Sequence, residues 1–150
     1  MLRKRPLPLG VDNFLSVLEG IEGGFAIFAG IVIGLSLEGV DRRLLIVTAG
    51  ISIIVNAFNA SAVRYASEHF LDELDGRENE SWRTSYLIPA IVEFAIYVVA
   101  SIISIIPLLV IESTPVAIAI MTCITTIILF VSGWYRGKIL LGRHGIRDGF

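Results

Sequence analysis

Two glutamates lie inside an apolar stretch of the sequence that is long enough to cross a bilayer. Glu19 and Glu22 stand three residues apart within residues 16–35, which also contain five glycines. A carboxylate in hydrocarbon costs roughly 2.5–3.5 kcal/mol on the membrane-insertion scale, so neither side chain should face lipid. On a helix the two carboxylates fall on one face, because three-residue steps return to the same side. The spacing therefore predicts a helix that brings acidic groups to a polar path.

Further polar groups occur in the other apolar stretches. Glu93 lies in the third stretch, and Asn56 and Asn59 lie one turn apart in the second. Carboxylate and amide oxygens are hard ligands that suit Mg²⁺, Ca²⁺, Mn²⁺ and, less selectively, Fe²⁺. We therefore predict a metal site with Glu22 as its principal ligand, supported by Glu19, Asn56, Asn59 and Glu93. The same carboxylates can relay protons, and Glu19 and Glu22 should share a proton when the site holds no cation.

Four of these five residues also have a purely structural interpretation. Glu19 lies close enough to the predicted membrane surface to reach water, and Glu93 could be a protonated hydrogen-bonding group. Asn56 and Asn59 can hold helices together without binding an ion. Both interpretations stay open at the level of the sequence.

The sequence shows no arrangement that is typical of an enzyme. It contains no nucleophile–base pattern, phosphate-binding loop, cysteine–histidine zinc spacing or dinucleotide-binding pattern. The single cysteine, Cys123, excludes an intrachain disulfide and a cysteine-rich metal cluster. The basic residues flank apolar stretches, so they do not indicate binding to nucleic acid. We therefore predict a protein that is not an enzyme and has no cofactor.

Four apolar segments must position the polar groups. They cover residues 14–37, 44–66, 86–111 and 115–135, and each provides the roughly 20 residues that a membrane crossing needs. The chain is 55% hydrophobic and has a mean hydropathy of +0.78, which is typical of a protein with several membrane spans. In lipid the backbone must satisfy its own hydrogen bonds, so the segments should be helices. The sequence predicts one all-α domain, residues 1–150, with four transmembrane helices.

The distribution of lysine and arginine predicts how these helices are oriented. Ten of these residues lie in the N-terminus, in residues 64–85 at and after the end of the second segment, and in the C-terminal tail, and two lie in the other loops. Cytoplasmic loops are enriched in lysine and arginine, so we expect both termini to be cytoplasmic. The expected location is a prokaryotic cell membrane.

The loop of residues 67–85 should begin as a continuation of the second helix. Phe70, Leu71 and Leu74 would form its apolar side, and Gly76 is a plausible helix stop. Acidic groups recur at three- and four-residue steps beside a histidine. The candidates for a weak cation-collecting surface are Glu68, His69, Asp72 and Asp75. The alternative is an ordinary solvated extension of the helix.

Small residues at four-residue spacing let two membrane helices approach closely. The first segment contains two such pairs, Gly20 with Gly24 and Gly30 with Gly34. We predict that these four glycines pack helices together, and that the chain forms a homodimer through its first helix.

Four short motifs, spread over most of the chain, have counterparts in one family. They are Glu22-Gly23 in the first segment, residues 59–67 (Asn-Ala-Ser-Ala-Val-Arg-Tyr-Ala-Ser), residues 104–109 (Ser-Ile-Ile-Pro-Leu-Leu) and residues 133–138 (Gly-Trp-Tyr-Arg-Gly-Lys). Together they resemble the vacuolar iron transporter family of divalent-metal transporters. The corresponding family motifs are Asp-Gly, Ser-Met-Ala-x-Gly-Glu-Tyr-x-Ser, small-x-x-Pro-Leu-Leu and Gly-x-x-Lys/Arg.

The resemblance implies a homodimer that moves Fe²⁺ or Mn²⁺ in exchange for protons, with the ion path at the dimer interface close to the first helix. The family's methionine falls on Ala60 here, its Gly-Glu falls on Val63-Arg64, and its fifth helix has no counterpart. The alternative function is a non-transporting membrane module. Such a module would use its glycines for assembly and its acidic loop to hold a cytoplasmic partner.

Overall fold

The computed structural model describes residues 11–76 and 82–140. Within them the chain forms no strand and folds into four α-helices, α1 (Val11–Leu37), α2 (Arg42–Leu74), α3 (Ile88–Val110) and α4 (Thr114–Leu140). A π-helical turn, Arg83–Leu87, directly precedes α3. All four helices are long and apolar enough to cross a membrane. The prediction of an all-α fold with four helices that are able to span a membrane is therefore confirmed.

The orientation of the helices in the membrane stays a prediction. The basic residues of the N-terminus and those of the tail beyond residue 140 lie outside the described residues, as does Arg77 of the middle loop. Their distribution in the sequence remains the reason to expect both termini on the cytoplasmic side.

Helices α1 and α3 form a central pair that packs closely. They run parallel, since Gly20 of α1 lies against Ile96 and Gly24 lies against Ala100. A Cβ built on Gly24 would lie 2.8 Å from both the Ala100 Cβ and the Tyr97 carbonyl oxygen. Glycine is therefore what allows this approach. The predicted packing role of Gly20 and Gly24 is fulfilled inside the chain, between α1 and α3.

Helices α2 and α4 flank this pair. Each packs against both α1 and α3, and the two share at most a marginal contact with each other. The apolar core takes side chains from all four helices, among them Val32, Leu45, Leu108 and Met121. The outward sides of the helices carry large apolar side chains, which suits contact with lipid.

One end of the bundle, which we term the turn end, is closed by two short turns and an arginine. Gly39 takes a φ of +71° between α1 and α2, and the Asp41 carboxylate caps the first turn of α2. Arg42 then reaches across to the end of α3. It donates hydrogen bonds to the carbonyl oxygens of Leu108 and Glu112, both at 2.6 Å. The bond to Leu108 satisfies one of the carbonyl groups that a helix leaves unpaired at its C-terminus, and Glu112 lies just beyond that end.

Helix α2 is longer than a membrane crossing requires. It has 33 residues, which span about 50 Å, against a hydrocarbon thickness of about 30 Å. Roughly ten residues therefore project beyond the lipid, and we term residues 65–74 the α2 extension. The predicted continuation of the helix and its stop are confirmed, because α2 ends at Leu74 and Gly76 takes a φ of +69°.

Candidate functional site

The predicted carboxylates lie toward the end of the bundle that is opposite to the turn end. The four helices alternate in direction, so this end contains the starts of α1 and α3 and the ends of α2 and α4. We term it the charged end. Two separate groups of polar side chains form here, one between α1 and α2 and the other between α1 and α4.

Arg64 is the centre of the first group. Its side chain is 8% exposed and forms ion pairs with Glu19 of α1 and Glu68 of α2. The distance between Arg64 Nη2 and Glu68 Oε1 is 3.1 Å. A buried charge is costly unless it is paired and hydrogen-bonded. The two carboxylates, which are partly exposed, therefore supply the negative charge that allows an arginine to lie inside the bundle.

Glu93 of α3 adds a third carboxylate, and we term these four residues the Arg64 cluster. Glu93 is 6% exposed and interacts electrostatically with Glu19 and Arg64. Its Oε2 atom is enclosed by protein and has no hydrogen-bond partner. Leaving a buried carboxyl oxygen unpaired carries the full desolvation penalty of that group. Glu93 is thus the member of the cluster that would be stabilised by a further partner, such as a proton, a cation or a water molecule.

Glu22 faces α4 rather than α2. Its Oε1 accepts a hydrogen bond from the Ser132 hydroxyl at 2.7 Å, and its Oε2 lies 3.5 Å from Arg136 Nη1. Glu19 and Glu22 are therefore paired with arginines on different helices. The common site expected from their spacing does not form, and the geometry gives no support to a proton shared between them.

The two predicted asparagine ligands join neither group. Asn56 is half-buried and donates a hydrogen bond to the Ser52 carbonyl of its own helix at 2.9 Å. Asn59 is exposed. In residues 11–76 and 82–140, no three side chains of histidine, cysteine, aspartate or glutamate come together in a way that could hold a metal ion. The five predicted ligands thus do not converge within this part of a single chain.

The predicted cation-collecting residues make contacts that hold the α2 extension in place. Glu68 belongs to the Arg64 cluster, and Asp72 accepts a hydrogen bond from the Tyr86 hydroxyl at 2.9 Å. Asp75 is exposed at the end of α2. Because Tyr86 lies in the π-helical turn, its bond to Asp72 ties the extension to the start of α3.

His69 is exposed and takes part in a group of aromatic rings. Its ring stacks on Tyr65, with ring centroids 6.3 Å apart, and meets Tyr86 edge-on at 5.2 Å. The extension also carries exposed apolar side chains, namely Phe70, Leu71 and Leu74. This part of α2 therefore presents both acidic and apolar groups beyond the lipid.

Gly30 and Gly34 lie on an open part of α1. Both are exposed, and a Cβ added to either would meet nothing within 4 Å. The second predicted glycine pair therefore leaves a surface that another helix can approach closely. It contrasts with Gly20 and Gly24, which are already covered by α3.

Sequence reasoning missed Arg64, Arg136 and Ser132. The distribution of basic residues assigns both arginines to the membrane flanks. A signal for Arg64 was present, since it stands four residues before Glu68 and on the same side of α2 as the buried residues of the preceding turns. No local signal marks Ser132, because its partner Glu22 is 110 residues away.

The chain matches no protein-family model, no curated protein and no solved structure at a significant level. The resemblance to vacuolar iron transporters therefore rests on the four motifs and stays a prediction. The structure itself shows four helices that are long and apolar enough to cross a membrane, with carboxylate–arginine groups at one end of the bundle.

Proposed function

We propose that the chain is a membrane transporter of a divalent cation, Fe²⁺ or Mn²⁺, coupled to protons. The observation that carries the proposal is Glu93, a buried carboxyl group in a membrane-spanning helix whose Oε2 has no hydrogen-bond partner. Ionisable residues inside membrane helices are costly and commonly mark ion or proton pathways. The choice of Fe²⁺ or Mn²⁺ as the transported ion comes from the motifs that resemble vacuolar iron transporters.

Arg64 acts in this proposal as a tethered counter-ion. While no cation is bound, it neutralises Glu19 and Glu68, which limits repulsion among the carboxylates of the cluster. A divalent cation that approaches along the acidic α2 extension competes with the guanidinium for the same oxygens. Glu93 binds or releases a proton as the cation moves, which couples the two ions.

Glu22 keeps its role as a ligand, on the α4 side of α1. Its contact with Arg136 is 3.5 Å long and partly exposed, so the carboxylate can exchange this partner for a cation. The proposal includes a homodimer, because no complete set of ligands meets within the described part of one chain. The open surface at Gly30 and Gly34 is where the second copy would approach.

Uptake of Mn²⁺ or Fe²⁺ into liposomes under a pH gradient tests the proposal. Wild-type protein should move the cation faster than protein-free liposomes. Glu93→Gln and Glu22→Gln should abolish pH-dependent uptake, because each removes a charge while keeping the shape of the side chain. Glu112→Gln is the matched control, since Glu112 is an exposed carboxylate at the turn end. Wild-type flux equal to that of empty liposomes, or a Glu93→Gln variant that transports normally, would overturn the proposal.

The cytoplasmic location of both termini is tested by cysteine labelling. Arg3→Cys and Arg147→Cys, each in a Cys123→Ala background, should react with an impermeant reagent only from the cytoplasmic side. Labelling of the two positions from opposite sides would contradict the proposed orientation.

The second candidate is a non-transporting assembly module. The observation that favours it is the exposed apolar group of Phe70, Leu71 and Leu74 on the α2 extension, beyond the reach of the lipid. Exposed apolar groups of this kind mark surfaces that bind other proteins. Under this candidate wild-type protein moves no cation, whereas Gly30→Leu with Gly34→Leu still weakens the dimer in detergent.

A further inference from the structure

Two hydroxyl groups inside the bundle have no role in the Arg64 cluster or in the contacts of Glu22. Ser104 of α3 is 2% exposed and Thr125 of α4 is 7% exposed. The hydroxyl oxygens of both residues are enclosed by protein and have no hydrogen-bond partner. Buried polar atoms are nearly always paired, either with protein or with ordered water. Two unpaired hydroxyls in one interior therefore point to bound water as their partner.

Neighbouring threonines on α4 show how a hydroxyl in a membrane helix can satisfy itself. Thr122 and Thr126 are exposed, and each donates a hydrogen bond to the carbonyl four residues earlier, at 2.8 and 2.9 Å. Thr125 stands between them in sequence and does not make this bond. Helix α4 packs mainly against α1 and α3, so the buried Thr125 side chain points toward those two helices.

The register of the helices places both hydroxyls deeper in the membrane than Glu22. Ser132 donates a hydrogen bond to Glu22, and Thr125 lies two turns before Ser132 on α4, about 10 Å deeper at the helical rise per residue. Ser101 donates to an α1 carbonyl two residues beyond Glu22, at 3.2 Å. Ser104 lies one turn further along α3, about 7 Å deeper than Glu22. The two unpaired hydroxyls therefore occupy nearly the same layer of the bundle.

We propose that ordered water binds at Thr125 and Ser104 and forms a hydrogen-bonded path from Glu22 and Ser132 into the middle of the membrane. Hydroxyl groups and water both donate and accept hydrogen bonds, so a proton can pass along such a path by exchange of donors. Beyond Glu22 the path offers only neutral oxygens, which suits a proton better than a divalent cation. This path thus lies on the α4 side of α1, and it adds to the proton exchange of Glu93 in the Arg64 cluster. Its use as a route rests on the proposed function, whereas the bound water does not.

A cysteine at position 125 tests for the water directly. Hydrogen peroxide is only slightly larger than water and oxidises the thiolate, and apolar surroundings suppress the thiolate. Native Cys123 is exposed on the outer side of α4 at nearly the same depth, so wild-type protein is the matched control. In a Cys123→Ala background, Thr125→Cys should react with hydrogen peroxide about tenfold faster than Cys123, or more. Thr122→Cys should be as slow as Cys123.

Thr125→Cys reacting as slowly as Cys123 would overturn the proposal of bound water. The reaction rate of Ser104→Cys in the same background tests for water in the same layer. It decides the question by itself if Thr125→Cys does not fold. This experiment needs no transport, so it judges the bound water even if the proposed function fails.

Proton-coupled cation uptake into liposomes tests whether this path carries protons. Thr125→Val combined with Ser104→Ala removes both hydroxyls and should lower proton-coupled uptake about tenfold or more. Thr122→Val combined with Thr126→Val removes two hydroxyls that bond their own helix, and it should leave uptake unchanged. Unchanged uptake in the first pair, together with a reactive Thr125→Cys, would show water that conducts no protons and would overturn the path. Absence of uptake by wild-type protein would instead overturn the proposed function.

Discussion

Replacing Gly24 with alanine is expected to destabilise the bundle, because α1 and α3 approach each other closely at this residue. The added Cβ would lie 2.8 Å from the Ala100 Cβ and 2.8 Å from the Tyr97 carbonyl oxygen. Carbon atoms in contact prefer a separation of about 3.5–4.0 Å, so the two helices must move apart by about 1 Å. Neither neighbour can move without its helix, because the Tyr97 oxygen is a backbone atom and the Ala100 Cβ is bonded directly to the backbone.

The expected loss follows from the cost of overpacking. Forcing extra atoms into a packed interior costs about 1–3 kcal/mol. In a chain of this length 1 kcal/mol corresponds to about 2–4 °C in Tm, so the Tm should fall by about 2–12 °C. Gly20→Ala should have a smaller effect, because its Cβ would lie 3.0 Å from Ile96 and the Glu93 carbonyl oxygen.

Gly50→Ala on α2 is the control, because Gly50 is exposed and lies outside the surface proposed for the dimer. Its Cβ would meet nothing within 4 Å, and alanine favours a helix over glycine by up to about 1 kcal/mol, so the Tm should stay constant or rise. Thermal unfolding in detergent, followed by tryptophan fluorescence, measures the three variants beside wild type. A Gly24→Ala protein that unfolds at the same temperature as Gly50→Ala would refute the close packing of α1 on α3.

Three further outcomes are expected. Glu19→Gln and Arg64→Met, made singly and together, should give a coupling energy of about 1–3 kcal/mol in a double-mutant cycle of the free energy of unfolding. If the double variant loses just the sum of the two single losses in that free energy, the residues are not paired. Arg42→Met should lower the free energy of unfolding by about 1.5–3 kcal/mol, because charged hydrogen bonds to the end of α3 are lost. Arg43→Met is the control, since Arg43 is exposed. Equal stability of the two variants would argue against the hydrogen bonds of Arg42 to α3. Tyr86→Phe removes the hydrogen bond to the α2 extension and should cost about 1 kcal/mol. Limited proteolysis should then cut the extension faster, and an unchanged cleavage rate would show that other contacts hold it.

The bounds of the helices could be predicted because the lipid imposes its own rule. The thickness of the hydrocarbon sets the length of a span, and the lack of water requires each segment to satisfy its own backbone. The predicted residues 14–37 therefore agree with the observed span Phe14–Leu37. The stop at Gly76 is equally local, since glycine adopts its φ of +69° without strain.

The partners of the charged side chains could not be predicted in the same way. Glu19 and Glu22 differ by only about 60° around the helix axis, yet this angle turns one toward α2 and the other toward α4. Which helix stands on which side depends on contacts between distant parts of the chain. The same holds for the glycines, because Gly24 and Gly30 have the same spacing motif and only the packed structure shows which one is covered.

The hydrogen bonds of Arg42 also set how the bundle can deform. At the turn end they fix the spacing of α2 and α3, whereas at the charged end α1 holds α2 through the ion pair of Arg64 with Glu19. Arg64 lies 22 residues from Arg42, about 33 Å along a straight helix. Distances between spin labels on α1 and the α2 extension would detect a tilt of α2. Because α2 is held at the turn end, a tilt of about 10° about that end would displace Arg64 by about 6 Å. This distance is longer than any hydrogen bond, so such a tilt would break the contact of Arg64 with Glu19.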